Sequence, residues 1–286
     1  MVRTQLDLFG DRHLQLEHAR RVLTEGRAGD ACRELARLHS HYPGDPGIAE
    51  ELALARSLDL RLAEIETAFP GERPRLLAAL ARAATPAVRA GLLRHAAAEL
   101  QRIGPTALLD GRPASALLLE AGDTLAAWTA ADEAVRHEPR ARFLAYLADV
   151  EHRLDRTGRA REDYRRALAL DPYEVDWDEL ADDDVKALPD IARTEIELDD
   201  GVAWSAPVGV VLDVLPIGEP PPTSRDPALD HTSASPLDRA RSFLGALIRA
   251  SHARGAQVIA ARREMRALAP QLLAAYLERR SSTALP

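Results

Sequence analysis

A helix-ending proline recurs after 33 residues, first Pro139 and then Pro172, and each closes a stretch with small residues where two crossing helices would touch. A fixed period of this length constrains the fold more than any other feature of the chain. A helix pair repeated in this way cannot bury its apolar face alone, so about three or more must stack. In residues 114–139, Gly122-Asp123 supplies a turn and Ala127 and Ala134 supply small crossing positions. In residues 160–172, Ala160, Tyr164 and Ala167 form a small, aromatic, small stripe at helical spacing. The turn ahead of that stripe, Asp155-Arg156-Thr157-Gly158, places its glycine three residues late, which leaves the angle of this helix pair open. An earlier unit ends at Pro43, with Ala19, Gly26, Ala31 and Leu35 in corresponding places. Between them, apolar residues at three and four spacing predict helices over 48–69, 75–84 and 86–103, within an interval close to three periods.

Composition agrees with helix. Ala, Leu and Arg dominate and aromatic residues are 4%, and these side chains lose little rotamer freedom in a helix. With 46% hydrophobic and 29% charged residues in 286, the chain can bury one large core or two modest ones. Every basic residue except Lys186 is arginine, a skew that points to a GC-rich bacterial genome rather than to phosphate binding. The net charge of −8 argues against broad attachment to nucleic acid or an anionic membrane and favours protein partners. Cys32 is the only cysteine, so no intrachain disulfide or thiolate metal cage is expected, and it reads as a small residue on a buried helix face. No apolar run approaches the ~20 residues of a membrane span, and Asp7 and Asp11 stand where a signal peptide would be apolar, so a cytoplasmic location is expected.

The residues at 114–139 and 160–172 resemble the tetratricopeptide-repeat family, the second almost letter for letter, and 12–43 resembles it less closely. The resemblance implies an all-α fold, a right-handed α-solenoid of helical hairpins over 11–200, with a concave groove for another protein. It does not extend past Gly201. Residues 201–286 read as C-terminal helices over 237–254, 257–267 and 271–280, preceded by an exposed Pro-rich loop at 217–236. Residues 203–215 are apolar enough for a short buried helix or a strand, with Pro207 favouring a helix first turn.

Residues 171–200 hold 13 acidic side chains against Lys186 and Arg193. The spacing lacks the glycine and terminal glutamate of a calcium loop, so no metal is assigned and a solvated face is expected. The tail beyond 237 has nine arginines and three acids, and the two segments are expected to pair within the molecule. No phosphate-binding glycine loop, hydrolase elbow or metal-spaced histidine pair occurs; His39 and His41 are two apart and point away from each other on a helix. A non-enzymatic protein with no cofactor is therefore expected.

One short stretch suggests a partner. Gln5, Leu6, Asp7, Leu8 and Phe9, in residues 1–10, match at all five positions the linear motif with which many bacterial replication and repair proteins bind the ring-shaped sliding clamp, and they resemble it in wording. The resemblance implies that Leu8 and Phe9 fill an apolar cleft while Leu6 and Gln5 contact its edge. Two buried side chains contribute roughly 3 to 6 kcal/mol before ordering costs, enough for a weak reversible contact. The same side chains could instead cap the first repeat, with Asp11 starting a helix near Arg12. The expected function is a protein-interaction scaffold that docks on the clamp through residues 5–9; the alternative is an accessory or regulatory subunit of an enzyme complex with the pentapeptide as a structural cap.

Overall fold

Three Schellman-type closures set the hairpins that the repeat pattern predicts. A computed structural model describes residues 2–218 and 235–283, with side chains for 12–218 and 235–281. The chain forms two compact units, residues 1–133 and 134–286.

In the first unit, α1 (Val2–Thr24) ends where Gly26 takes a left-handed conformation at φ +82°. The Gly26 amide donates to the Leu23 carbonyl at 3.0 Å and Arg27 to that of Val22 at 3.2 Å, which satisfies the last carbonyls and turns the chain into α2 (Ala28–His41). The helix expected near Arg12 therefore begins at Val2, because a single glycine, Gly10, costs a helix only about 1 kcal/mol. Ala19, Ala31 and Leu35, read as crossing positions, are fully buried. Cys32, expected on the buried face, is only half-buried, one position round the helix from Ala31.

The remaining helices are α3 (Pro46–Thr67), α4 (Arg73–Ala83) and α5 (Pro86–Ile103). Asp45 caps α3 by accepting from the Gly47 and Ile48 amides at 3.0 and 3.3 Å, with Pro46 preset for the first turn. Arg12 pairs with Asp45 and lies 5.8 Å from the Tyr42 ring centre, tying α1 to the α2–α3 turn. α5 returns across the α1–α2 turn at Gly91, where a Cβ would stand 2.6 Å from both the Gly26 nitrogen and the Thr24 oxygen. That backbone-to-backbone crossing joins elements four apart in sequence.

A two-stranded hairpin, β1 (Leu108–Leu109) and β2 (Arg112–Pro113), interrupts the helices. Asp110 and Gly111, at φ +51° and +85°, supply its turn. α6 (Ala114–Glu120) follows, and the unit boundary falls inside α7 (Thr124–His137). Between them Gly122 at φ +76° repeats the closure of Gly26, and Asp123 accepts from the Ala126 amide at 3.2 Å.

In the second unit, α8 (Ala141–Arg153) and α9 (Thr157–Leu170) form the hairpin read at 160–172, with Ala160, Tyr164 and Ala167 fully buried. Its turn closes on Asp155, at φ +57°, with Asp155 donating to the His152 carbonyl at 3.0 Å and Arg156 to that of Glu151 at 2.9 Å. The late glycine, Gly158, sits in the first turn of α9 with nothing near it. Two 3-10 turns, Pro172–Glu174 and Trp177–Glu179, lead to α10 (Asp183–Lys186) and α11 (Leu188–Thr194).

The apolar stretch 203–215 is a helix, α12 (Ser205–Val211), buried along its whole length. A helix apolar all round belongs at the centre of its unit. α12 packs against α9, α11, α13 (Pro236–His252) and α15 (Pro270–Thr283), and α14 (Ala256–Leu268) pairs with α13. Trp204 meets Phe243 edge to face at 5.9 Å. One continuous core runs from Ala141 to Tyr276, drawing on both sides of Gly201.

The Pro-rich loop read at 217–236 lies, at 219–234, outside the described residues, and α13 starts from a Ser235 cap that accepts from the Asp238 amide at 3.2 Å. Helix is thus the almost exclusive secondary structure among the described residues. No helix among them is long and apolar enough to cross a membrane.

Candidate functional site

A cleft of about 430 Å³ opens among the described residues of the first unit. Four segments wall it: the α1–α2 turn with the first turn of α2, one face of α3, the start of α4 and the second half of α5. On α3 the contributors are Asp59, Leu62, Ala63, Ile65 and Glu66, spaced so that 3.6 residues per turn brings them to one face. Leu62, Ile65, Leu77 and Ala98 supply its apolar surface.

Most of its charges are already matched. Arg73 spans the far end, its Nε 3.1 Å from the Ala68 carbonyl and an Nη 2.7 Å from that of Glu66, holding the last carbonyls of α3, while another Nη stands 3.8 Å from Glu99. Glu99 also pairs with Arg102. At the opposite end Asp30 takes Arg27 at 2.8 Å and pairs with Arg33.

Two carboxylates are different. Asp59 and Glu66 are solvent-exposed and have no ion-pair or side-chain hydrogen-bond partner among the described residues. They stand seven residues apart on α3, about 10 Å along the helix. Asp59 faces Gly29, where a Cβ would be 3.0 Å from its Oδ1, so it lies close to the positive end of α2. The ring of His95 lines the same cleft and packs against Gly26. Burial, with the neighbouring Arg94 guanidinium, lowers the His95 pKa and keeps the imidazole neutral near pH 7. Burial and the Asp59 carboxylate raise the Cys32 thiol, which disfavours the reactive thiolate.

The acidic run at 171–200 has its own structural use in the second unit. Asp149 Oδ1 accepts the Tyr164 hydroxyl and the Ala181 amide, the latter at 2.9 Å, and burial pushes the Asp149 carboxyl up to about 6. Asp182, almost wholly buried, caps α10 through the Asp184 and Val185 amides and takes Arg161 Nε at 3.0 Å. His152 lies 3.7 Å away. The run thus fastens its own segment onto α8 and α9. Farther on, Asp199 pairs with Arg239 of the arginine-rich tail, and Arg241 donates to the Ala169 carbonyl at 3.0 Å, so tail and acidic run do meet within the unit. No group of three or more His, Cys, Asp or Glu side chains among the described residues is placed to hold a metal ion.

Of the residues that sequence singles out, Gln5, Leu6, Asp7, Leu8 and Phe9 fall within α1, and their side chains lie outside the described residues. None of the cleft residues was legible as a site, because they come from four stretches between Gly26 and Arg102 with no local motif in any of them. The only signal was the general expectation of a groove. Comparison with protein-family models, with curated proteins and with solved structures finds no match to this chain.

Proposed function

We propose that the protein is a non-enzymatic interaction scaffold, a right-handed solenoid of tetratricopeptide-like hairpins whose cleft in residues 26–102 takes an extended segment of a protein partner. The observation that carries this reading is a cleft with matched charges at both ends and two unmatched carboxylates, Asp59 and Glu66, on one face of α3. A partner segment with lysine or arginine side chains two or three residues apart in extended conformation spans about 7 to 10 Å and fits that spacing. Panning of a displayed peptide library on the intact protein tests this. Selected peptides should be enriched in spaced basic residues and should lose at least about tenfold in affinity against an Asp59→Asn, Glu66→Gln double variant, about 1.4 kcal/mol. Peptides that bind both forms equally, or a selection that yields none, would refute the groove.

We also propose that Gln5-Leu6-Asp7-Leu8-Phe9 docks on the bacterial DNA sliding clamp, supported by the match at all five positions. Since these residues belong to α1, docking in an extended form requires unwinding the first turns. A peptide of residues 1–12 should therefore bind purified clamp more tightly than the full chain does, by fluorescence anisotropy, and Leu8→Ala with Phe9→Ala should abolish both. The accessory-subunit reading, with residues 5–9 as a cap on the first repeat, predicts no clamp binding by either and a loss of several kcal/mol of stability in the same double variant.

A further inference from the structure

The arginine-rich tail is answered within its own unit only in part. Arg239 pairs with Asp199, Arg241 holds the last carbonyls of α9, and Arg249 pairs with Glu264. Arg254, just before α14, and Arg262, Arg263 and Arg266 along it have no ion-pair or side-chain hydrogen-bond partner among the described residues. Glu264, already taken by Arg249, is the only acid of α14. This helix buries Ala261, Met265 and Leu268, and 3.6 residues per turn puts Ile259, Arg263 and Arg266 together on the solvent side. Ile259 is 55% exposed there, and Ala256 and Ala260 beside it are exposed as well, so nothing bulky screens the face.

The same unit carries the opposite surplus. Asp176, Asp178, Asp183, Glu195 and Glu197 are exposed and equally without such partners among the described residues. Lys186 Nζ donates to the Asp178 carbonyl at 2.6 Å, which holds the second 3-10 turn beside α10 and keeps Asp178 and Asp183 in one neighbourhood. We infer that α14 docks on the acidic segment of a second copy of this chain. Arginine suits the contact, because its planar fork takes a carboxylate in two parallel hydrogen bonds and its apolar stem covers surface such as that of Ile259. Since both surfaces belong to one chain, a two-fold axis makes the contact twice, each α14 meeting the other copy's acidic segment. The competing polyanion is a nucleic acid, and the charges disfavour it: the unpaired carboxylates of the same unit and the net charge of −8 repel phosphate. Neither surface belongs to the cleft of the first unit, so this inference stands apart from the proposed function.

Sedimentation of the full-length protein tests it. The parent should be a reversible dimer at about 50 μM in low salt, and raising the salt from about 20 mM to about 500 mM should weaken the dimer at least about tenfold. Two double variants, Arg263→Glu with Arg266→Glu and Asp178→Arg with Asp183→Arg, should each be monomeric, because like charges then face each other. All four positions are exposed, and urea unfolding should show both variants folded. An equimolar mixture of the two should dimerise again, since each α14 then meets a segment of opposite charge. Both variants keep a negative net charge, so only local pairing can restore the dimer. A parent that stays monomeric at about 200 μM in low salt, a dimer indifferent to both double variants, or a mixture that remains monomeric would each overturn the inference. So would a monomeric parent that binds a duplex oligonucleotide through Arg263 and Arg266, which would assign the face to nucleic acid.

Discussion

Asp155 shows how one residue can hide a turn from the sequence. Among the described residues, four helix ends close through a left-handed residue and the same pair of backbone hydrogen bonds, at Gly26, Gly122, Asp155 and Asp213. Glycine announces two of them; aspartate, tolerated in left-handed backbone though strained there, conceals the other two. Replacing Asp155 with glycine should relieve that strain and stabilise the protein by about 0.5 to 1 kcal/mol in urea unfolding; a loss of stability would show that Asp155 is held by more than its turn. Tyr164 illustrates a different dependence. Its hydroxyl donates to the buried Asp149, so Tyr164→Phe should cost about 1 to 3 kcal/mol, measured the same way, because the carboxylate loses a donor it cannot replace with water. The alanines of the repeat stripe needed no such partner, which is why their burial was readable from spacing alone.

At the scale of elements, what positions the cleft is the crossing of α5 over the α1–α2 turn. The pattern of apolar residues predicted α3, α4 and α5 to within a few residues, since three and four spacing is a local property of each helix. It did not predict that α5 would reach back to α1, because that depends on Gly91 meeting Gly26 and Thr24 across more than sixty residues. Gly91→Ala is the direct test. The added methyl would stand 2.6 Å from two backbone atoms that no rotamer change can move, so the helices must separate, at a cost of about 1 to 3 kcal/mol. Denaturant titration should show the loss, and hydrogen exchange should report loosened protection at the start of α2. A substitution that left both unchanged would mean the crossing is softer than its geometry implies.

For the whole molecule, pH acts on His95 and on Asp149 in opposite senses. His95 in the first unit has a lowered pKa, so the unfolded chain binds the proton more readily and this residue's contribution falls as pH drops below the ordinary histidine range. Asp149 in the second is pushed up to about 6, so the folded form holds its proton longer; stability from this group is greatest in acid and falls by up to about 3 kcal/mol as pH rises from about 4 to above 6. Single variants separate the two effects in urea unfolding. Asp149→Asn should leave the protein at least as stable as the parent at pH 7.5, with that relative gain vanishing near pH 4, whereas His95→Gln should reduce the loss on acidification; slopes of the opposite sign would reverse these assignments. The sequence by itself determined helix as the dominant structure, the second helix of the pair at 160–172 and the apolar stretch that becomes α12, because periodicity and helix propensity act within a few turns of the chain. Only the tertiary structure decided where the cleft and the buried Asp149 lie and which arginines of the tail go unpaired. Each depends on side chains from separate segments, and neither burial nor the absence of a partner is a property a residue has before the chain folds around it.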